Sequence, residues 1–170
     1  MRKLILVLVT AFFAVPALAV AGSPPSPADS AAAQKQCRAE LQGMGAPAFK
    51  LLYGGKSNAF GKCVSRRASQ NAANRANAAA QCTSAQAADP TGFAAKYGSG
   101  PNHKNAFVRC VAQTSKALAA TQVSATINAA KQCKTERQAD PAAFQAKYGP
   151  HTNKANAFGK CVSLKVKHSS

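Results

Sequence analysis

The residues of this chain with the most reactive side chains are six cysteines. They are Cys37, Cys63, Cys82, Cys110, Cys133 and Cys161. No Cys-x-x-Cys pair is present, and none of the three histidines (His103, His151 and His168) stands at metal-ligand spacing from a cysteine, so no metal site is predicted. The even count, together with an N-terminus typical of export, favours three disulfides, which would leave no thiol for catalysis.

Carboxylates are the next candidates for chemistry, and there are only five. They are Asp29, Glu40, Asp89, Glu136 and Asp140. Acid–base catalysis needs two groups that converge in a cleft, and nothing in the spacing brings two of these together. A nucleophile elbow, a P-loop and a dinucleotide fingerprint are all missing from the sequence. We therefore expect no enzymatic activity, no cofactor and no small-molecule substrate.

Basic residues dominate the charge, with 22 Lys and Arg against 5 Asp and Glu. Such a surplus attracts polyanions such as nucleic acid and acidic polymers. Basic residues recur at two positions, before the last helix of each repeat and before its second cysteine: Lys56, Lys104, Lys154; Lys62, Arg109, Lys160. Beside a helix N-terminus they predict an anion-binding site, which three copies would strengthen by avidity. The alternative is that these lysines and arginines only keep the surface soluble.

These positions recur because the chain contains three copies of a two-cysteine repeat. The second and third copies share the sequence Asp-Pro, Phe, Lys-Tyr-Gly, Asn-Ala-Phe and Cys-Val at identical spacings, while the first lacks the Asp and has a shorter loop. An atypical terminal copy is usual in repeat arrays. Each copy predicts three helical pieces, because Asp89 and Asp140 suit an N-cap with proline next, glycine follows Lys-Tyr, and Asn suits the next N-cap.

The segments between repeats contain no Gly or Pro and are rich in alanine, so we expect continuous helices over 58–88 and 105–139. The alternative is a break near Asn71, Asn74 or Asn77. Within one continuous helix Cys63 and Cys82 would lie about 28 Å apart, too far for a disulfide. Pairing inside each repeat is therefore predicted: Cys37–Cys63, Cys82–Cys110 and Cys133–Cys161.

The aromatic side chains after residue 30 all fall in the repeat motif and are the predicted core. They are Phe49, Tyr53, Phe60, Phe93, Tyr97, Phe107, Phe144, Tyr148 and Phe158. One small cluster per repeat rarely stabilises a fold alone, so the disulfides should be essential. The fold class predicted is all-α, with three disulfide-stapled repeats joined by long helices. Because the connectors offer few large apolar residues, an extended rod is expected rather than a globule. The exception is Leu118, Val123 and Ile127 in the second connector, which could pack it against a neighbour.

The ends complete the predicted organisation. Residues 1–21 are typical of a signal peptide, with cleavage after Ala19 or Ala21, and 22–30 of a Pro/Ser linker. Repeat 1 is expected over 31–65, a connecting helix and repeat 2 over 66–112, a connecting helix and repeat 3 over 113–166, and a basic tail over 167–170. After cleavage no stable membrane insertion is expected.

The phrase Tyr-Gly followed by Asn-Ala-Phe-Gly-Lys-Cys-Val, with Ala-rich connectors, resembles uncharacterised secreted cysteine-repeat proteins of actinobacteria. The resemblance spans the three repeats and implies export and a bacterial origin, but no activity. We therefore expect a secreted or envelope-associated, non-enzymatic protein that binds anionic polymers or an acidic protein surface. The alternatives are a structural or protein-interaction spacer of the envelope and, ranked lower, a cationic antimicrobial or effector.

Overall fold

The computed structural model describes residues 24–54, 57–100, 103–149 and 156–168. The predicted signal peptide, Lys56, Lys154 and His151 lie outside these residues. The described part forms seven helices and no strand, so the all-α prediction is confirmed. The helices are α1 Pro27–Met44, α2 Ala46–Tyr53, α3 Ala59–Ala88, α4 Pro90–Tyr97, α5 Ala106–Ala139, α6 Pro141–Tyr148 and α7 Ala157–His168.

The helix boundaries follow the residues that predicted them in most places. The Asp89 carboxylate accepts a hydrogen bond of 2.9 Å from the Gly92 N–H, and Asp140 caps α6 in the same way. The connectors form the unbroken helices α3 and α5. Asn71 and Asn74 do not interrupt α3, because their amides bond to neighbouring helices.

The asparagines before α3 and α5 occupy the N-cap position without capping through their side chains. In repeat 1 the Asn58 carboxamide lies where a side chain on Gly61 would have to go. In repeat 2 the equivalent of that glycine is Val108, and Asn105 turns away to bond Ser99, accepting from its N–H at 3.1 Å. The size of the residue three positions after the asparagine, glycine in repeat 1 and valine in repeat 2, thus decides where the asparagine side chain points.

Three disulfides join the long helices, and each has a Cα–Cα distance of 6.0 Å, which suits the bond. They tie α1 to α3, α3 to α5, and α5 to α7. The pairs are those predicted: Cys37–Cys63, Cys82–Cys110 and Cys133–Cys161.

The predicted extended rod is wrong, because α1, α3 and α5 pack side by side and repeat 1 meets repeat 3. Asn74 on α3 exchanges two hydrogen bonds of 3.0 Å with Gln122 on α5. Arg67 bonds Thr126 on one side of this contact and Cys82 bridges Cys110 on the other, so these helices run antiparallel. Gly43 on α1 lies against Ile127 on α5. Alanine and glycine let helices approach closely, and a search for large apolar residues in the connectors overlooks such contacts.

Folding back creates one large core shared by repeats 1 and 3 and leaves repeat 2 with a small one. The shared core contains Met44, Phe49, Leu52, Tyr53, Phe144, Tyr148, Phe158 and Val162 around two of the disulfides. The repeat 2 cluster consists of Cys82, Phe93, Ala106 and Cys110, with Tyr97, Phe107 and Val111 half-buried against it. Phe60 was predicted in the core and is 36% exposed, because it lies on the outer side of α3.

Two boundaries at the ends also differ from the predictions. Helix α1 begins at Pro27, inside the segment expected as a linker, because Ser26 and Asp29 form a reciprocal capping box. Helix α7 continues to His168, into the expected basic tail. None of the helices in the described ranges combines the length and apolar character needed to cross a membrane.

Candidate functional site

A buried ion pair lies where α1, α2, α3 and α5 meet. Glu40 and Arg67 are 0% and 4% exposed and contact each other directly. The Tyr53 hydroxyl donates a 2.5 Å hydrogen bond to Glu40 Oε2, and Arg67 Nη2 donates to Thr126 Oγ1 at 2.9 Å. Burial and the neighbouring Glu40 carboxylate raise the pKa of Tyr53. The carboxylate is held by its partners, so this cluster joins four helices.

The sequence contained a signal for this cluster. A glutamate stands three residues after the first cysteine in repeats 1 and 3, as Glu40 and Glu136, and both bond the tyrosine of the following short helix. What the sequence did not show is the partner Arg67, which becomes a neighbour of Glu40 only when α3 packs antiparallel to α1.

Asp29 is a second carboxylate held inside the fold. It accepts hydrogen bonds of 2.7 Å from the Ser26 N–H and from Arg75 Nη1. Burial acts to raise the pKa of Asp29, but the Ser26 hydrogen bonds and Arg75 outweigh it and lower the pKa. The contact fixes the start of α1 to α3.

Within the described residues, Glu136 on α5 contacts basic and tyrosine side chains of repeat 3. Lys147 Nζ lies 2.9 Å from Oε1, Lys165 Nζ 3.4 Å from Oε2, and the Tyr148 hydroxyl 3.0 Å from Oε1. The hydrogen bond from Lys147 is the main cause that lowers the pKa of Glu136. Since Asp89 and Asp140 cap helices, all five carboxylates of the chain are used by the fold.

The predicted anion-binding residues lie in different surroundings. Lys62 extends over Gly54 at the C-terminal end of α2, where the helix dipole attracts a cation, so a structural role explains it. Lys104 and Arg109 are exposed on repeat 2. Lys160 lines a cleft. With Lys56 and Lys154 outside the described residues, the structure does not bring the predicted set together.

The cleft that contains Lys160 runs between repeats 1 and 3, and we call it the Arg66 cleft. It consists of two adjoining cavities of about 300 and 360 Å³ that share Leu52, Arg66 and Ser163. The first cavity adds Tyr53, Arg67, Gln70, Gln122, Thr126, Val162, Val166 and Lys167. The second adds Asn156, Gly159, Lys160 and Leu164. Neither is lined by a carboxylate.

The cleft can bind anionic groups through charge-assisted hydrogen bonds. Arg66, Lys160 and Lys167 supply cations from both terminal repeats, and Ser163 and Gln70 add neutral polar groups. The start of α7, with its free N–H groups, lies beside Asn156 and Gly159. Sequence analysis missed Arg66, which belongs to no repeated position and meets Lys160 only through tertiary packing.

Groups of three or more side chains able to hold a metal ion do not occur among the described residues. Comparison of the chain with protein-family models, curated proteins and solved structures found no match.

Proposed function

We propose that this protein is a secreted, non-enzymatic basic protein that binds anionic polymers of the cell wall or the extracellular space, nucleic acid included. The observation that carries the proposal is the internal use of all five carboxylates. Three of them, Glu40, Asp29 and Glu136, form ion pairs within the fold, and the other two cap helices. The ion pairs neutralise four basic side chains: Arg67, Arg75, Lys147 and Lys165. The other basic side chains of the described residues form no ion pair with the described carboxylates, so the proposal assigns their counterions to an outside partner.

A polymer with repeated anionic groups suits such a surface better than a small anion. Each contact replaces condensed counterions, and the released ions make binding favourable at low salt. The Arg66 cleft offers adjacent contacts on one polymer segment, and the cations elsewhere on the described surface add weaker, unspecific ones. The proposal therefore predicts little selectivity for sequence or monomer.

Secretion is part of the proposal. The three disulfides are consistent with an oxidising compartment outside the cytoplasm. The N-terminal segment, interpreted as a signal peptide, supports the same location.

The test is a binding titration at two salt concentrations with fluorescent duplex DNA, a heparin-like polymer and an anionic wall polymer. A cleft variant, Arg66→Gln/Lys160→Gln/Lys167→Gln, is compared with Lys96→Gln/Lys104→Gln/Arg109→Gln on repeat 2. Both variants remove three charges, so the general field falls equally. We expect the cleft variant to bind more weakly than the repeat 2 variant, and its salt slope for DNA to fall by about 0.9 for each phosphate that it no longer neutralises.

The outcomes separate the alternatives. Absence of binding at low salt would remove the polymer proposal and favour a structural spacer. Equal weakening in the two variants would show that the overall field, and not the Arg66 cleft, holds the polymer. Leakage from anionic liposomes at the same protein concentration would favour an effector.

A further inference from the structure

A second concave surface lies on the other side of the bundle, between α1 and α5. Both helices pack antiparallel to α3, as the order of their contacts along it shows, so they run parallel to each other. They meet where Gly43 lies against Ile127, so closely that a Cβ on Gly43 would fall 2.8 Å from Ile127 Cδ1. Towards the start of α1 a groove of about 510 Å³ lies between them, and we call it the α1–α5 groove.

The groove has apolar walls and basic edges. Small apolar side chains line it: Ala32, Ala39, Ala119, Ala120 and Val123. Asn71 and Arg75 of α3 line it as well, and Lys35 and Lys116 contribute exposed ammonium groups from opposite walls. Apolar lining with a few polar groups, at this volume, is typical of small-ligand sites.

The charge of the groove is positive. Its one lining carboxylate, Asp29, is taken by Ser26 and Arg75. Lys35 and Lys116 have no carboxylate partner among the described residues, and their aliphatic stems can extend the apolar walls while the ammonium groups stay in water. A ligand that suits such a surface has an apolar part and a negatively charged group at one end.

The shape favours a slender occupant. Along α1 the lining runs from Asp29 to Ala39, about 15 Å at the helical rise. An α-helix with its side chains is about 10 Å across and would fill this volume with roughly a single turn. An extended alkyl chain can instead follow the whole length. We propose that the α1–α5 groove binds a long-chain carboxylate, with its alkyl chain along the alanine walls and its carboxylate at Lys35 and Lys116.

This site is independent of the Arg66 cleft and goes beyond the proposed polymer binding. The test is isothermal titration of the disulfide-bonded protein with octanoate, decanoate and laurate below their micellar concentrations. Affinity should rise about fourfold for each added methylene that the groove buries. Laurate should bind more tightly than dodecylamine, which has the same chain and the opposite charge.

Blocking variants place the site. Ala120→Phe and Ser124→Phe put a ring into the groove from exposed positions of α5, and Ala112→Phe is the matched control on the same helix outside it. We expect the first two to abolish laurate binding and the control to keep it. Lys35→Gln/Lys116→Gln should weaken laurate about tenfold, as expected when one charge-assisted hydrogen bond is removed. Lys96→Gln/Arg109→Gln should not weaken it. Melting curves identify any variant that fails to fold, and two blocking positions keep the test decisive.

Four results would overturn the proposal. The first is no heat of binding with laurate. The second is equal binding by Ala120→Phe, Ser124→Phe and Ala112→Phe, which would place the ligand elsewhere. The third is dodecylamine binding as tightly as laurate. The fourth is an acidic amphipathic peptide that competes for the groove with a longer footprint on α1 and α5.

Discussion

Repeats 2 and 3 have nearly the same sequence motif and different surroundings. In both, a phenylalanine and a tyrosine one turn apart pack with tilted rings whose centroids lie 4.9 and 4.8 Å apart, and a disulfide spans 28 residues. Repeat 3 buries its aromatics in the core that it shares with repeat 1, whereas repeat 2 has its own small cluster. The motif therefore specifies the local unit, and the burial of that unit depends on its neighbours.

The residues around the aromatic pair also differ between repeats 2 and 3. In repeat 3 the Tyr148 hydroxyl bonds Glu136, while the equivalent position in repeat 2 is Ala85. Repeat 2 also exposes Val108 by 69%, at the position where the other repeats have glycine. Because its core is small and lacks this hydrogen bond, repeat 2 should depend more on its disulfide than the shared core does.

The largest effect on stability should come from Arg67→Met, which removes one partner of the buried ion pair beside the core that repeats 1 and 3 share. Glu40 would stay buried without a countercharge, at a cost of about 3–5 kcal/mol in unfolding free energy. Urea unfolding at neutral pH measures it, with the exposed Arg109→Met on repeat 2 as the control. The double variant Glu40→Gln/Arg67→Met should recover part of the stability. A cost no larger than that of Arg109→Met would mean that the pair does not hold the helices together.

Removal of single disulfides should sharpen the comparison. Loops of 28 residues give about 3.5 kcal/mol for either bridge in the chain-entropy model. We expect Cys133→Ala/Cys161→Ala to lower the melting temperature of the whole shared core. Cys82→Ala/Cys110→Ala should instead open repeat 2 locally, so that amides of α4 exchange rapidly while those of α1 and α7 stay protected. Equal loss of protection throughout in both variants would show that repeat 2 is not an independent unit.

Acid should act on the terminal repeats more than on repeat 2. The folded-state pKa values of Asp29 and Glu136 are lowered, so each carboxylate stabilises the fold above its unfolded pKa of about 4, and this stability is lost as the pH falls through the folded-state value. Hydrogen exchange measured between neutral pH and about pH 3 should show larger losses of protection in α1 and α6 than in α4. The double variant Asp29→Asn/Glu136→Gln should reduce this difference in protection between the helices. If the pH dependence of exchange stays the same in the variant, these two carboxylates are not its cause.

The smallest effect should be a gain. Ala85→Glu gives repeat 2 the carboxylate that repeats 1 and 3 have, within reach of Tyr97 and Lys96 if the geometry of repeat 3 is reproduced. One hydrogen bond with partial exposure should add about 0.5–1.5 kcal/mol. Local exchange of α4 reports the gain, and Ala85→Gln tests how much depends on charge. Destabilisation by Ala85→Glu would show that repeat 2 does not reproduce the side-chain surroundings that Glu136 has in repeat 3.

Local features were predictable because they depend on neighbouring residues. Asp89 and Asp140 set helix starts through bonds three residues away, and the Ala-rich connectors form helices for intrinsic reasons. Helix length excluded a Cys63–Cys82 bridge, and pairing within each repeat was then the simplest solution, which the structure confirms.

Features that depend on packing were not predictable. Arg67 meets Glu40, and Arg66 meets Lys160, only after α3 folds against α1 and repeat 3 against repeat 1. Ile127 could be identified from the sequence as a large apolar residue of the connector, but its partner Gly43 on α1 has no signature in a search for large apolar residues. The Asn-Ala-Phe motif predicted equal burial for its phenylalanines, yet Phe158 is buried in the shared core and Phe60 on α3 is 36% exposed.

The continuous helices between repeats have a consequence for how such a chain can change in length. Because α3 and α5 each carry cysteines of two successive repeats, the connector fixes the rotational phase of one repeat relative to the next. One inserted residue turns the following repeat by about 100° around the helix axis and moves it about 1.5 Å, whereas about seven residues restore the phase almost completely. Because α3 and α5 pack along each other, the length changes this architecture tolerates best should be of about two turns and matched in both helices.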